Sequence, residues 1–438
     1  MTFPASGSDR LWNARRHGRV SALIIGTIAV ITVVLIAMVG WPSLWWDVAT
    51  NTRPPGRMQP RRGLGPLPKT PPPAPVPALS DWRSEPFDKP LAEVRNPVAR
   101  ETRRSLAGPR RTAPGLAVTE VRVAGAFPVL PVPPPHVGLY AGACWAADGR
   151  SFFVVSTNGE LYQISNPDLV QTRIAELGTI CRQVSTSAAG LVVTLPSVQE
   201  MWVMDPEVLS IRRRIGVSGL RRVLTAPHLA VAYALLISPD RGSGPPTRVD
   251  LTDGTQTGLS VPSTATGFDF RRAATMPDGR SLFAEAIPGR LVRYQVEGDR
   301  LNATEETEPI VQGDRGLVCV SPDGQWVCLP AWDGHANRNG EQFVYATGNL
   351  SRPAFHLRVG TGCHVVAFDP AGGRICATSF EHPLLLFDAA GKPGPVVPRE
   401  LFPDGQQVVE ALIPNPDGRQ LLVLTTETIF LVEFTGPS

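Results

Sequence analysis

The densest run of potential ligands in the chain is AWDGHANRNGEQF at 331–343, where Asp333, His335, Asn337, Asn339 and Glu341 fall at alternate positions. Oxygen donors at alternate positions ahead of a glycine resemble part of a calcium-binding loop, in which carboxylates and amides converge on a hard cation. The bidentate carboxylate that should end such a loop is missing, because Ala346 stands there. The segment is therefore expected to be a polar loop that contacts a ligand or partner, with no metal.

Other chemistry is sparse. The seven histidines (His17, His136, His228, His335, His356, His364 and His382) sit in no H-E-x-x-H or H-x-E pattern, and there is neither a G-x-S-x-G elbow nor a phosphate-binding glycine loop. No C-x-x-C-H motif marks a haem site, and no cofactor is expected. Asp269, Glu285, His364 and Glu410 lie on or near strand segments and could converge at a channel mouth. They are equally readable as satisfied strand residues.

All six cysteines (Cys144, Cys181, Cys319, Cys328, Cys363 and Cys376) fall beyond residue 140. Cys319 and Cys328 are symmetric about the Asp323–Gly324 turn. Counting outward from the turn sets them opposite each other at an expected non-hydrogen-bonded pair, where Cα atoms lie about 4.5 Å apart, within reach of a disulfide. The alternative is two small apolar side chains on neighbouring strands.

These residues are carried on a repeat. WAADGRSFFVV (145–155), MPDGRSLFAEA (276–286), SPDGQWVCLP (321–330), DPAGGRICATS (369–379) and NPDGRQLLVLT (415–425) each join two short apolar strands through a Pro/Asp/Gly turn. Such residues supply the φ > 0 and preset φ that tight turns require. A third strand follows, as in ELYQI (160–164) or TIFLVEF (428–434), and often a less regular fourth. Two weaker units, about 180–205 and 221–238, lack the Asp-Gly turn, although GTICRQV in the first matches GTGCHVV at 360–366. Four antiparallel strands per ~45 residues describe a propeller blade. Seven units start near residues 138, 180, 220, 267, 314, 361 and 405, and the last ends after three strands. A strand from TEVRVAGAF (119–127) is expected to complete it, because a ring with a bare edge invites mispairing.

By these motifs, residues 117–438 resemble the bacterial β-propellers of the WD-repeat, YVTN and TolB-like groups, which share the SPDG turn. The Trp-Asp ending of true WD repeats is missing, so the likeness is to the looser bacterial type. It implies an all-β, seven-bladed propeller. That fold hosts scaffolds, lactonases, quinoproteins and peptidase gates, so it implies no single activity. A gate would require a hydrolase domain, for which the propeller units leave no room.

The N-terminal part differs in composition. Residues 1–116 carry 17 Lys+Arg against 7 Asp+Glu, and the remainder 25 against 32, which gives a basic stem on an acidic head and no case for nucleic acid. Val20–Val39 reads VSALIIGTIAVITVVLIAMV without a charge, long enough as a helix to cross a hydrocarbon core of ~30 Å. Trp41, Trp45 and Trp46 fit an interfacial belt, and Arg10, Arg15, Arg16 and Arg19 precede the run. The expected order is a cytoplasmic tail (1–19), a transmembrane signal-anchor helix (20–41), a proline-rich basic spacer without a fixed fold (42–116) and the propeller (117–438), held outside the cytoplasmic (inner) membrane. A cleaved signal peptide would have a shorter apolar run and a clean A-x-A site.

The functional expectation is a membrane-tethered extracytoplasmic platform that binds an envelope protein or a small ligand. The alternative is a lactonase-like or quinoprotein-like enzyme with its site at the channel mouth.

Overall fold

The computed structural model describes residues 97–435 apart from 98, 124–141, 157–158, 180, 182, 239–241, 262–267, 287–288, 310–315, 332–333, 336–337, 361, 364, 380, 403–408 and 426–427. The apolar run at 20–39 and most of the spacer lie outside them. The described residues belong to the unit Lys89–Ser438.

Seven antiparallel sheets follow one another along the chain. Blade 1 is Ala143–Trp145, Ser151–Val155, Glu160–Ser165 and Val170–Glu176, and blade 2 is Gln183–Ser187, Gly190–Leu195, Glu200–Met204 and Ile211–Gly216. Blade 3 has Leu220–Thr225, Val231–Ser238, Thr247–Asp250 and Gln256–Gly258, and blade 4 has Phe268–Thr275, Ser281–Ala286, Arg290–Glu297 and Arg300–Glu306. Blade 5 comprises Cys319–Val320, Trp326–Cys328, Glu341–Ala346 and Phe355–Arg358. Blade 6 has three strands, Val366–Phe368, Arg374–Ala377 and Leu385–Asp388. Its outer position is taken by KPGPVVP (392–398), where Gly394 N–H reaches Leu386 O at 2.7 Å but the prolines cannot continue a ladder. Blade 7 is Val409–Pro414, Gln420–Thr425 and Ile429–Phe434. The weak second and third units are thus full four-stranded blades, and the fold is the expected all-β seven-bladed propeller.

The core is divided among the blade interfaces. Val154 and Tyr162 of blade 1 pack with Leu422 and Leu431 of blade 7, and Phe153 and Leu161 of blade 1 pack with Leu191 and Trp202 of blade 2. Similar clusters join each later neighbouring pair. Each blade buries both faces, which is why strands such as QLLVLT (420–425) are continuously apolar rather than alternating.

Ring closure comes from three N-terminal strands. These are β1 (Ala99–Ser105), β2 (Ala107–Ala113) and β3 (Leu116–Val121). β3 is the fourth strand of blade 7, pairing Leu116 with Phe434 through to Val121 with Ile429. Of the expected segment 119–127, Thr119–Val121 lie in this strand, and residues 124–127 are outside the described residues. β2 adds a fifth strand outside β3, and β1 a fifth strand on Val170–Glu176 of blade 1. The sheets therefore begin at Ala99, inside the stretch that composition assigns to an unstructured spacer.

Ladder hydrogen bonds hold these strands, with exposed ion pairs adding little. β1 and β2 are edge strands that form ion pairs with the blades: Arg100 with Glu176 and Arg110 with Glu433 at 2.7 Å, and in the opposite sense Glu101 of β1 with Arg173 of blade 1 at 3.2 Å. Pro109 falls at a register shift between Ala107 and Arg110, a position that an edge strand tolerates. Leu106, between the two strands, is 2% exposed and packs into the blade 7–blade 1 cluster.

Candidate functional site

Antiparallel strands put the loop between second and third strands of a blade on the same face as the connection to the next blade, and the Pro/Asp/Gly turns on the other face. The polar loop of blade 5 therefore emerges beside the connection from blade 5 to blade 6. Within it, Gly334–His335 and Arg338–Asn339 form a two-stranded hairpin that pairs Gly334 with Asn339 and His335 with Arg338. Asp333 and Asn337 lie outside the described residues, as do the side chains of His335 and Asn339.

Glu341 begins the third strand of blade 5 and is the member of the expected set whose side chain is placed. One carboxylate oxygen lies 3.4 Å from His356 Nδ1 and the other 3.8 Å from Arg358 Nε, both on the neighbouring fourth strand. Phe343 packs against His356 with ring centroids 4.8 Å apart and the planes tilted by 50°. The Arg358 side chain is 83% exposed, so its charge faces solvent while Glu341 is largely covered.

Glu341 and Arg358 open onto a groove of 360 Å³ between blades 5 and 6, lined also by Gly340, Gly360, Glu381 and His382. Glu381 and His382 come from the second-to-third loop of blade 6. Gly340 N-terminal to the strand has φ +79°, and a Cβ there would come 2.5 Å from Gly360 Cα. That close approach lets Val359 and Gly360 N–H groups both donate to Gly340 O, at 2.8 and 3.0 Å. The arrangement offers two carboxylates, a guanidinium and an imidazole on an open surface. It can bind a group that carries both signs of charge or several hydrogen-bonding atoms. Among the described residues, no cluster of three or more His, Cys, Asp or Glu could hold a metal ion.

Of the residues considered for a channel-mouth enzyme, Glu285 is the one whose side chain is among the described residues. Glu285 is fully buried on the second strand of blade 4, with Arg272 of the inner strand 3.6 Å away. Asp269 is its register partner, but the side chains of Asp269 and Glu410 and the whole of His364 are outside the described residues. Burial penalises an unpaired carboxylate, so the Arg272 contact accounts for Glu285 structurally.

Cys319 and Cys328 are register partners as expected. No S–S bond joins any of the six cysteines in this structure, and Cys319 Sγ donates to Cys328 O at 3.7 Å. The pair type differs from the expectation. Ser321 N–H donates to Trp326 O at 2.9 Å, so 321/326 is a hydrogen-bonded pair and, by alternation, 319/328 is one as well. Cβ atoms at such pairs lie near ~5.5 Å, wider than the ~3.5–4.5 Å of a disulfide.

Arg358, Glu381 and His382 were not singled out by sequence, because no spacing links them. The blade 5–blade 6 contact brings them together.

No known protein-family profile matches this chain, and no curated protein sequence matches it significantly. Solved structures do match its fold. One is a chain of the crystal structure of a mitotic checkpoint complex, at 13% identity and TM-score 0.55, covering 73% of this chain and 95% of that one. Another is the β-propeller domain of Cps50 (Swd1) from Myceliophteria thermophila, at 13% identity and TM-score 0.52, covering 68% and 97%. At such identities the likeness establishes a shared β-propeller fold.

Proposed function

We propose that this chain is a binding platform that seats its partner on the face carrying the blade 5–blade 6 groove. The observation that carries the reading is the groove itself, where Glu341, Arg358, Glu381 and His382 from two blades line one open depression. Propellers of this kind commonly serve as rigid supports for protein contacts, and the two solved neighbours include a chain crystallised within a complex.

The platform is tethered in this reading. The uncharged run Val20–Val39, the tryptophans after it and the arginines before it support a single membrane pass with the head outside the cytoplasm. The partner is then an envelope protein or a small ligand. Protease accessibility of the head in intact and permeabilised cells tests the topology, and a head degraded only after permeabilisation of the inner membrane refutes it. For the groove, the test is quantitative capture by the full-length chain and by a Glu341→Gln/Arg358→Ala/Glu381→Gln variant. Loss of specific partners from the variant supports the site, and unchanged capture refutes it.

A further inference from the structure

We propose that the propeller carries two repeat-related inter-blade disulfides, Cys144–Cys181 between blades 1 and 2 and Cys319–Cys363 between blades 5 and 6, formed by exchange with a small-molecule disulfide. This inference does not rest on the binding role of the groove.

Counting from the turn glycine of each blade gives the first observation. Cys144 and Cys319 each stand five residues before it, ahead of Gly149 and Gly324, and Cys181 and Cys363 each stand nine before it, ahead of Gly190 and Gly372. Four cysteines thus occupy two repeat positions. In both cases the first position is filled in one blade and the second in the next.

The structure brings each set together. Cys144 and Cys181 are buried in one apolar cluster between blades 1 and 2. Cys363 is buried in the cluster between blades 5 and 6, with Cys319 packed against it. The second member is oriented alike at both interfaces: Cys181 Sγ donates to Gln183 O at 3.4 Å and Cys363 Sγ to Val365 O at 4.0 Å, each two residues ahead. The thiols also sense one another. Cys144 is pushed up by burial and then by Cys181, and Cys363 by burial and then by Cys319.

Cys328 is the rival partner for Cys319, because it faces Cys319 in register, shares the same cluster, and has its thiol pushed up first by a side-chain hydrogen bond with Cys319. Two facts weigh against it. The pair is of the wide, hydrogen-bonded type, and in blade 1 the residue opposite Cys144 is Phe153, so the repeated feature is the inter-blade pair. In the exchange, a protein thiolate attacks one sulfur of the small disulfide and expels a thiol. The second cysteine then attacks the mixed disulfide and expels the other. Two protein thiols are oxidised and one disulfide is reduced to two thiols. Burial holds these thiols protonated in the native state, so the bridges form as blades dock during folding.

The test is to refold the full-length chain in a mixture of oxidised and reduced glutathione, alkylate it, digest it without reduction and map cross-linked peptides by mass spectrometry. The expected result is Cys144 joined to Cys181 and Cys319 joined to Cys363, with Cys328 and Cys376 alkylated. A Cys328→Ser variant should keep both links, and Cys181→Ser should leave Cys144 alkylated. A Cys319–Cys328 bridge within one peptide, or alkylation of all six cysteines in chain that has regained its native sheet spectrum, overturns the proposal.

Discussion

The carboxamide of Gln183 in blade 2 grips the backbone of Val223 in blade 3 at both ends: Val223 N–H donates to Gln183 Oε1 at 3.0 Å, and Gln183 Nε2 donates to Val223 O at 2.7 Å. One blade further on, Arg222 Nη1 donates to the carbonyl of Ala273, the position equivalent to Val223. Inner strands of neighbouring blades are too splayed to share a ladder, so side chains from one blade satisfy backbone groups of the next. Burial alone lowers the Arg222 pKa to about 10.

Truncating that grip should be costly. Gln183→Ala strands a buried N–H and a buried C=O on Val223, which costs about 2–3 kcal/mol. Denaturant unfolding should show this as a lower midpoint with an unchanged slope. A cost below about 0.5 kcal/mol would mean that water replaces the carboxamide without loss.

The Pro/Asp/Gly turns also pack against one another. Gly418 has φ +70°, and a Cβ there would come 2.0 Å from Asp369 Oδ1 in blade 6. Gly418→Ala is expected to destabilise by about 2 kcal/mol or more, from backbone strain plus the collision. Adding Asp369→Ala should recover part of that loss, and strict additivity of the two changes would show that the collision is not felt.

Asp369 also gives the turn a pH signature. Burial raises its pKa, with the hydrogen bond from Ala371 and the Arg374 charge opposing and Asp417 adding to the rise. A raised carboxyl favours the protonated native state, so its contribution is present at acid pH and is lost as pH rises through the native pKa. Asp369→Asn should therefore raise Tm at pH 7 relative to wild type, and the difference should shrink as pH falls toward the acid range. A difference independent of pH would assign it to packing instead.

Leu106 tests the closing strands. A spacer leucine would be dispensable, whereas a residue 2% exposed within the blade 7–blade 1 cluster should cost about 2–4 kcal/mol on Leu106→Ala. No change in Tm would mean that β1 and β2 do not hold the ring.

The contrast between Asp323–Gly324 and Arg103–Arg104 shows what could be read from the sequence. Asp-Gly between apolar runs announces a turn through backbone geometry alone, so the blades that carry it stand out and their period sets the count. The units at 180–205 and 221–238 lack that turn, yet their apolar strands suffice because each blade must bury both faces. Arg100, Arg103, Arg104, Arg110 and Arg111 hide β1 and β2, because an edge strand needs only ladder hydrogen bonds and carboxylates to face, not period-two apolar residues. At the candidate site, alternate polar residues flagged Glu341, whereas Arg358, Glu381 and His382 join it through a contact between blades that no local pattern encodes.

The measurement that bears most directly on the account is quantitative capture by the full-length chain with the groove intact and with Glu341→Gln/Arg358→Ala/Glu381→Gln, at matched Tm. The account predicts that at least one partner or ligand bound by the wild type is reduced tenfold or more in the variant. Equal capture by two equally stable proteins would contradict it and remove the groove as the site of recognition.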